Sequence, residues 1–194
     1  MLNTLFQYFT NNPDYFAGVI FLLGLMFGSF FNVVIYRLPV MMQLEWLDNC
    51  REFIRETYGS LPGELETDPK TLPQPPFNLA KPDSTCPHCQ HRIRWYENIP
   101  VLSYLFLKGK CSACHRRISI RYPIIELVTA LLSAFAAYRL GFGWEAAAAL
   151  VFTWTLICLT MIDFDHKLLP DQMTLPLLWL GLLVNIQGLF ACLT

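Results

Sequence analysis

Charge is what this sequence has least of. Only 15% of its 194 residues are Asp, Glu, Lys or Arg, while 54% are hydrophobic, a balance that argues against a water-soluble globule and for a chain that meets the bilayer. The scarcity is uneven. Residues 16–36 and 172–194 contain no charged side chain, and a helix needs about 20 mostly apolar residues to cross a hydrocarbon core of roughly 30 Å. Residues 146–162 are uncharged between Glu145 and Asp163, and residues 122–140 carry charge only near their ends, at Glu126 and Arg139. Four membrane spans are therefore expected, at 16–36, 122–140, 146–162 and 172–194.

No Lys or Arg precedes Arg37. That absence removes the basic region a cleaved signal peptide would carry, and the first apolar run also exceeds the usual length of a signal core, so residues 16–36 are read as a retained span. Of the fourteen Lys and Arg residues, twelve lie from Arg37 to Arg121, and the others are Arg139 and Lys167. Alternating spans put all but Arg139 on one face, which the positive-inside rule makes cytoplasmic. The N-terminus, the turn at 139–143 and the C-terminus then lie on the opposite side. A glycine-rich G-x-G-x-x-G loop is also missing, so no nucleotide-binding residues can be named. With a net charge of −1, no nucleic-acid partner is expected.

The polar remainder, residues 38–121, holds nine of the fifteen acids and eleven of the basic residues. Within it, Leu44, Trp46, Leu47, Phe53, Ile54 and Tyr58 alternate with charges, the pattern of a short amphipathic helix lying on the membrane or packed on the cysteine-bearing part of the loop. Pro62, Pro69, Pro73, Pro75 and Pro76 then predict an extended linker over 59–82.

Beyond the linker come two C-x-x-C pairs, Cys86 with Cys89 and Cys111 with Cys114, separated by 21 residues. Two such knuckles turn four thiolates toward one tetrahedral ion, which staples a loop too small to build its own core. Zinc in a structural role is the expectation, in a small zinc-ribbon-like domain. A reducing cytoplasm disfavours disulfides. Cys111, Cys114 and His115 also read as C-x-x-C-H, the c-type haem pattern, but the first knuckle ends in Gln90 and haem attachment belongs to the other side of the membrane. With the shell filled by sulfur, His88, His91 and His115 are read as solvated. Cys50, Cys158 and Cys192 have no knuckle partner, and the last two are read as small hydrophobes in apolar helices.

Three carboxylates, Asp163, Asp165 and Asp171, crowd the end of the third span, and ionisable groups at a membrane boundary are functional candidates. Asp163 and Asp165 point to different faces of a helix, so they form no ready-made pair. Gly24 and Gly28 form G-x-x-x-G, a spacing that lets another helix approach closely.

Taken in order, Gly28-Ser-Phe-Phe-Asn32 through Arg37 and Pro39, the two cysteine pairs, Glu97-Asn-Ile-Pro100, Arg121-Tyr-Pro123-Ile-Ile-Glu126, and Asp163-Phe-Asp165 through Pro170 and Asp171 resemble the bifunctional type IV prepilin leader peptidases and N-methyltransferases. These are membrane aspartyl proteases of type IV pilus and type II secretion systems. The resemblance implies an all-α, multi-pass protein of the bacterial inner membrane with its N-terminus periplasmic and its cysteine loop cytoplasmic. It implies prepilin or pseudopilin substrates and surrounding lipid as partners, and S-adenosylmethionine as methyl donor. Asp163 matches the first catalytic aspartate. The family's second aspartate belongs to a G-x-G-D motif, whereas here Gly141-Phe-Gly143 is followed by Trp144. The 194 residues thus read as the first two-thirds of such an enzyme, expected not to cleave prepilin alone. Three parts are expected: a first span at 1–37, a cytoplasmic metal loop at 38–121, and three spans at 122–194 that begin the peptidase domain. Asn32 and Arg37 are candidates for contact with substrate or lipid headgroups, with Arg37 also explained as an orientation anchor. The competing reading is a non-enzymatic zinc-containing membrane module of a pilus or secretion assembly.

Overall fold

A computed structural model describes residues 2–59 and 77–186. Its regular elements are all helical: α1 (Leu2–Asn11), α2 (Pro13–Tyr58), α3 (Leu102–Phe106), α4 (Arg121–Leu140), α5 (Trp144–His166) and α6 (Asp171–Ile186), with a 3-10 turn at Trp95–Asn98. Among the described residues the β pairing amounts to two isolated bridges. Helices α2, α4 and α5 are each long and apolar enough to cross a membrane, which matches three of the four expected spans. Helix α6 is apolar over 16 residues, about 24 Å. The remainder of the fourth expected span, 187–194, lies outside the described residues, as does most of the expected linker, 60–76.

The amphipathic segment at 41–58 is not a separate surface helix. Helix α2 runs for 46 residues through Pro39, about 69 Å, more than twice the thickness of the hydrocarbon core. Residues 41–58 are rich in Leu, Met, Glu, Gln and Arg, all good helix formers. Nothing stops the helix before Gly59, which takes the left-handed conformation at φ 74° and caps Arg55. A polar stalk therefore projects beyond Arg37.

Helices α2 and α4 pack antiparallel in a regular ladder. A Cβ on Gly24 would lie 2.7 Å from the Ala130 Cα, and one on Gly28 would lie 2.7 Å from the Glu126 Cα. One turn further along, Asn32 Nδ2 donates to the Tyr122 carbonyl at 3.3 Å. The three rungs step by four residues on both helices, and the expected G-x-x-x-G contact is thus spent within the chain. Small residues at the seam let the backbones touch, the usual means of holding helices together where lipid offers no hydrophobic drive. Helix α5 closes the bundle. Trp154 stacks on Phe27 with ring centroids 4.2 Å apart and donates through Nε1 to the Ser133 hydroxyl at 2.8 Å.

Two apolar clusters occupy opposite ends. At one, Phe16, Ile20, Ala137, Ala146 and Leu150 are buried together, with Phe9 of α1 against them. At the other, Val34, Ile35, Leu38, Ile125, Cys158 and Ile162 form the core beneath the polar loop. Leu22, Met26, Leu131 and Phe135 are each more than half exposed, an outward apolar belt that suits hydrocarbon rather than water.

Candidate metal centre and carboxylate edge

The two cysteine knuckles are built alike. In the first, the Cys86 N–H donates to the His91 carbonyl at 2.9 Å and the Gln90 N–H donates to the Cys86 carbonyl at 2.9 Å. In the second, the Cys111 N–H donates to the Arg116 carbonyl at 2.9 Å and the His115 N–H to the Cys111 carbonyl at 3.0 Å. Gln90 and His115 occupy the equivalent left-handed position, at φ 58° and 56°. The bridges Thr85 to Arg92 and Lys110 to Arg117 close the two turns.

This shared backbone aims all four sulfurs at one point. The Cys86 and Cys114 sulfurs are 3.9 Å apart, the Cys89 and Cys111 sulfurs 4.0 Å, and all four lie within 4.8 Å of one another. Tetrahedral zinc–thiolate bonds of about 2.3 Å require sulfur edges of about 3.8 Å, so the donor set could hold such an ion. The backbone N–H groups of His88 and Cys89 turn toward the Cys86 sulfur and draw its pKa down to about 6, and those of Cys114 and Ala113 lower Cys111 in the same way. At Cys89 the His91 N–H also favours the thiolate, but burial and the neighbouring sulfurs outweigh it and push the group up to about 11. Four sulfurs converging on one point could hold an ion, a convergence that two thioether links to haem do not call for.

Two of the histidines are not simply solvated. Arg116 Nη1 lies 3.2 Å from His88 Nδ1, and His91 Nε2 lies 3.4 Å from Glu97 Oε2. Glu97 also accepts the Arg94 N–H at 2.9 Å. That N–H, with the Ser112 hydroxyl next, holds its carboxyl below the usual range. One carboxylate thus joins the two knuckles. Beside it opens a groove of about 580 Å³ lined by Arg94, Tyr96, Glu97, Ile99, Leu102 and Phe106 among others.

Arg37 departs from the sequence reading. The residue is 7% exposed, and its guanidinium donates to the carbonyls of Asn78 at 2.8 Å and Pro82 at 2.6 Å, over the Phe77 ring. It pins the returning chain to α2 rather than facing headgroups. Asn32, likewise, is spent on α4.

Glu126 is visible in the sequence as a charge inside a span, but nothing there gives it a role. It is buried at 8% exposure between Ser29 and the loop before α3. There its Oε2 accepts the Val101 N–H at 2.7 Å. Val101 has φ 58°, an outlying conformation for a β-branched residue, and this bond is what the conformation secures.

The carboxylate edge sits at the same end of the bundle. Arg121 donates to both Asp165 oxygens, at 2.7 and 2.5 Å, tying the start of α4 to the end of α5. Asp163 lies about 3 Å further into the bundle along α5, half-buried beside Ile162, which is completely buried. Among the described residues its carboxylate has no hydrogen-bond or ionic partner, and neither has that of Asp171. The structure therefore brings Asp163 to the face that carries the thiolate module, but joins it to neither of the other two aspartates.

Comparison with known proteins finds two matching families. Residues 22–140 match the bacterial peptidase A24 N-terminal domain and residues 150–194 the type IV leader peptidase family. The chain is 50% identical over 187 residues to the prepilin leader peptidase/N-methyltransferase of Stutzerimonas stutzeri, covering 96% of this chain and 61% of that protein. It is 49% identical over 189 residues to that of Pseudomonas aeruginosa, at 97% and 61% coverage. With the protein of the same name from Dichelobacter nodosus it shares 51% over 176 residues, at 91% and 58%. The chain thus spans about three-fifths of the length of these relatives. No solved structure matches it.

Proposed function

The chain belongs to the type IV prepilin leader peptidase/N-methyltransferase family, and from this we propose that it supplies the metal module and the first catalytic aspartate of a membrane peptidase acting on prepilins or pseudopilins. The observation that carries the reading is Asp163: a half-buried carboxylate, without a partner among the described residues, at the bundle end that carries the four-cysteine module. The basic residues concentrate at that end, which by the positive-inside rule supports a cytoplasmic placement for it and a periplasmic one for the N-terminus, and the family resemblance supports a bacterial inner membrane as the host.

Aspartyl proteolysis needs one ionised and one protonated carboxyl. The first takes a proton from water as that water attacks the scissile carbonyl, and the second protonates the developing oxyanion. Asp163 would be one of the two. No G-x-G-D occurs in these residues and Asp165 is committed to Arg121, and the partner carboxyl is proposed to come from a family segment that bears that motif. Cys86, Cys89, Cys111 and Cys114 would hold zinc through four thiolates, which would leave no open position for substrate and would give the ion a role in folding the loop. For the methyltransferase half, S-adenosylmethionine supplies an electrophilic methyl group on a sulfonium. The groove beside Glu97 is of ligand size. Arg94 offers it a guanidinium for a carboxylate, and Tyr96 offers a ring face suited to a cation or a base.

The test is leader cleavage of a prepilin by the purified chain in nanodiscs, alone and after addition of a family segment bearing G-x-G-D. We expect cleavage only in the second case, and its loss in Asp163→Asn. Turnover by the chain alone would refute the need for an outside carboxyl. Turnover that survives Asp163→Asn in the supplemented reaction would remove Asp163 from the mechanism.

A further inference from the structure

The short helix α3 has its polarity inverted. Leu102, Leu105 and Phe106 share one face, at spacings of three and four residues, and they are 52%, 64% and 83% exposed. The opposite side turns Tyr104 inward onto Gly109, where an added Cβ would lie 2.8 Å from the tyrosine hydroxyl. Three large apolar side chains on five residues, all more than half exposed although Leu102 and Phe106 also line the groove beside Glu97, require something to cover them.

The depth of α3 says what does. Val101, the residue before it, is fixed by its N–H to Glu126. Glu126 stands opposite Gly28 in the α2–α4 ladder, nine residues, or about 13 Å, to the membrane side of Arg37. Helical side chains lean toward the N-terminus, which carries the Glu126 carboxylate back toward the level of Asn32 and Tyr122. Val101 therefore sits several ångströms inside the plane of Arg37, beside the turn of α4 where Tyr122 and Ile124 are already half exposed. The apolar face of α3 is continuous in depth with the outward belt of the bundle. Around it the loop is cationic: residues 77–121 contain eight Lys and Arg against two Asp and Glu, an excess that survives the roughly two negative charges of a zinc tetrathiolate.

We propose that α3 is a membrane-surface anchor, inserting Leu102, Leu105 and Phe106 at the headgroup and acyl boundary of an anionic phospholipid leaflet and holding the metal module flat against it. Partial insertion of an apolar face beneath a basic collar is the physics of an interfacial helix. The anchor is independent of the peptidase reading, since it needs no substrate, metal chemistry or second carboxyl.

The experiment places a photoreactive benzoylphenylalanine at position 106, and in a second protein at position 58. The full chain sits in nanodiscs of phosphatidylethanolamine and phosphatidylglycerol. Tyr58 ends the stalk about 32 Å beyond Arg37 and is the solvent control. We expect lipid adducts at 106 to exceed those at 58 by about tenfold, as interfacial burial demands. In Leu105→Asp/Phe106→Asp, tryptic cleavage after Lys108 should rise while bound zinc stays unchanged, which separates loss of the anchor from loss of the fold. Equal lipid labelling at the two positions overturns the proposal, as does crosslinking of position 106 mainly to a second copy of the chain.

Discussion

The thiolate module and the carboxylate edge lie at the same end of one bundle, yet the chain equips them differently. Four sulfurs stand within 4.8 Å of one another on two matching turns, with Glu97 joining His91 of the first turn to Ser112 of the second. Asp163 has no such company. A site that folds a loop closes on itself, because every open valence costs stability. A site that does chemistry keeps a group uncommitted for substrate, water or a partner. The difference is the one expected between a scaffold and a reaction centre, the roles proposed above for the thiolates and Asp163.

The sharpest way to break that contrast is to damage each side in turn. Cys111→Ser should drop bound zinc from about one to none per chain. Because structural zinc contributes on the order of 10 kcal/mol of apparent binding free energy, residues 77–121 should then become open to protease. Asp163→Asn should leave both metal content and protease pattern unchanged. If it emptied the metal site, the two regions would be one. Metal analysis and limited proteolysis read both.

Next in size is the ladder that carries the two regions. Gly28→Ala forces a methyl group against the Glu126 backbone and should cost about 1–3 kcal/mol by overpacking. Gly18→Ala, with open space around it, should cost nothing measurable. Thermal unfolding in detergent distinguishes them.

A smaller effect is expected from Glu97. Its carboxyl is held below the ordinary value of about 4.3, so it stabilises the folded module above that value, and the contribution fades as pH falls through its lower folded-state pKa. Zinc-loaded Glu97→Gln should lose stability by about 1 kcal/mol at neutral pH and show a flatter acid limb than the parent. An unchanged acid limb would mean that Glu97 does not join the knuckles. Smallest is Arg121→Ala, which breaks a partly exposed ion pair with Asp165 worth about 1 kcal/mol or less. Its mark should be faster hydrogen exchange at the end of α5 rather than a shifted melting point.

Much of this was legible in the sequence, and what was not shares a cause. Uncharged runs located the spans because lipid rejects charge wherever it occurs. Two C-x-x-C pairs announced a tetrahedral site because ligand spacing is local. Asp163 stood out as a carboxylate at a boundary. By contrast, the hold of Arg37 on Asn78 and Pro82, and that of Glu126 on Val101, join residues 25 to 45 apart, and no periodicity encodes such pairs. The stalk was missed for the opposite reason. The change in polarity near Arg37 marks where the membrane ends, but a helix of good formers ignores that boundary and stops at Gly59.

The four-residue step of the ladder has a mechanical corollary. Helices meshed in this way change alignment by whole rungs of four residues, about 6 Å, and such a jump would set Glu126 opposite Gly24 or Asn32 instead of Gly28. Either displacement carries the carboxylate away from Ser29 and drags or drops the loop that hangs from it. Alignment of the transmembrane pair and posture of the cytoplasmic lobe are thus geared together through one side chain, and neither can shift while the other stands still.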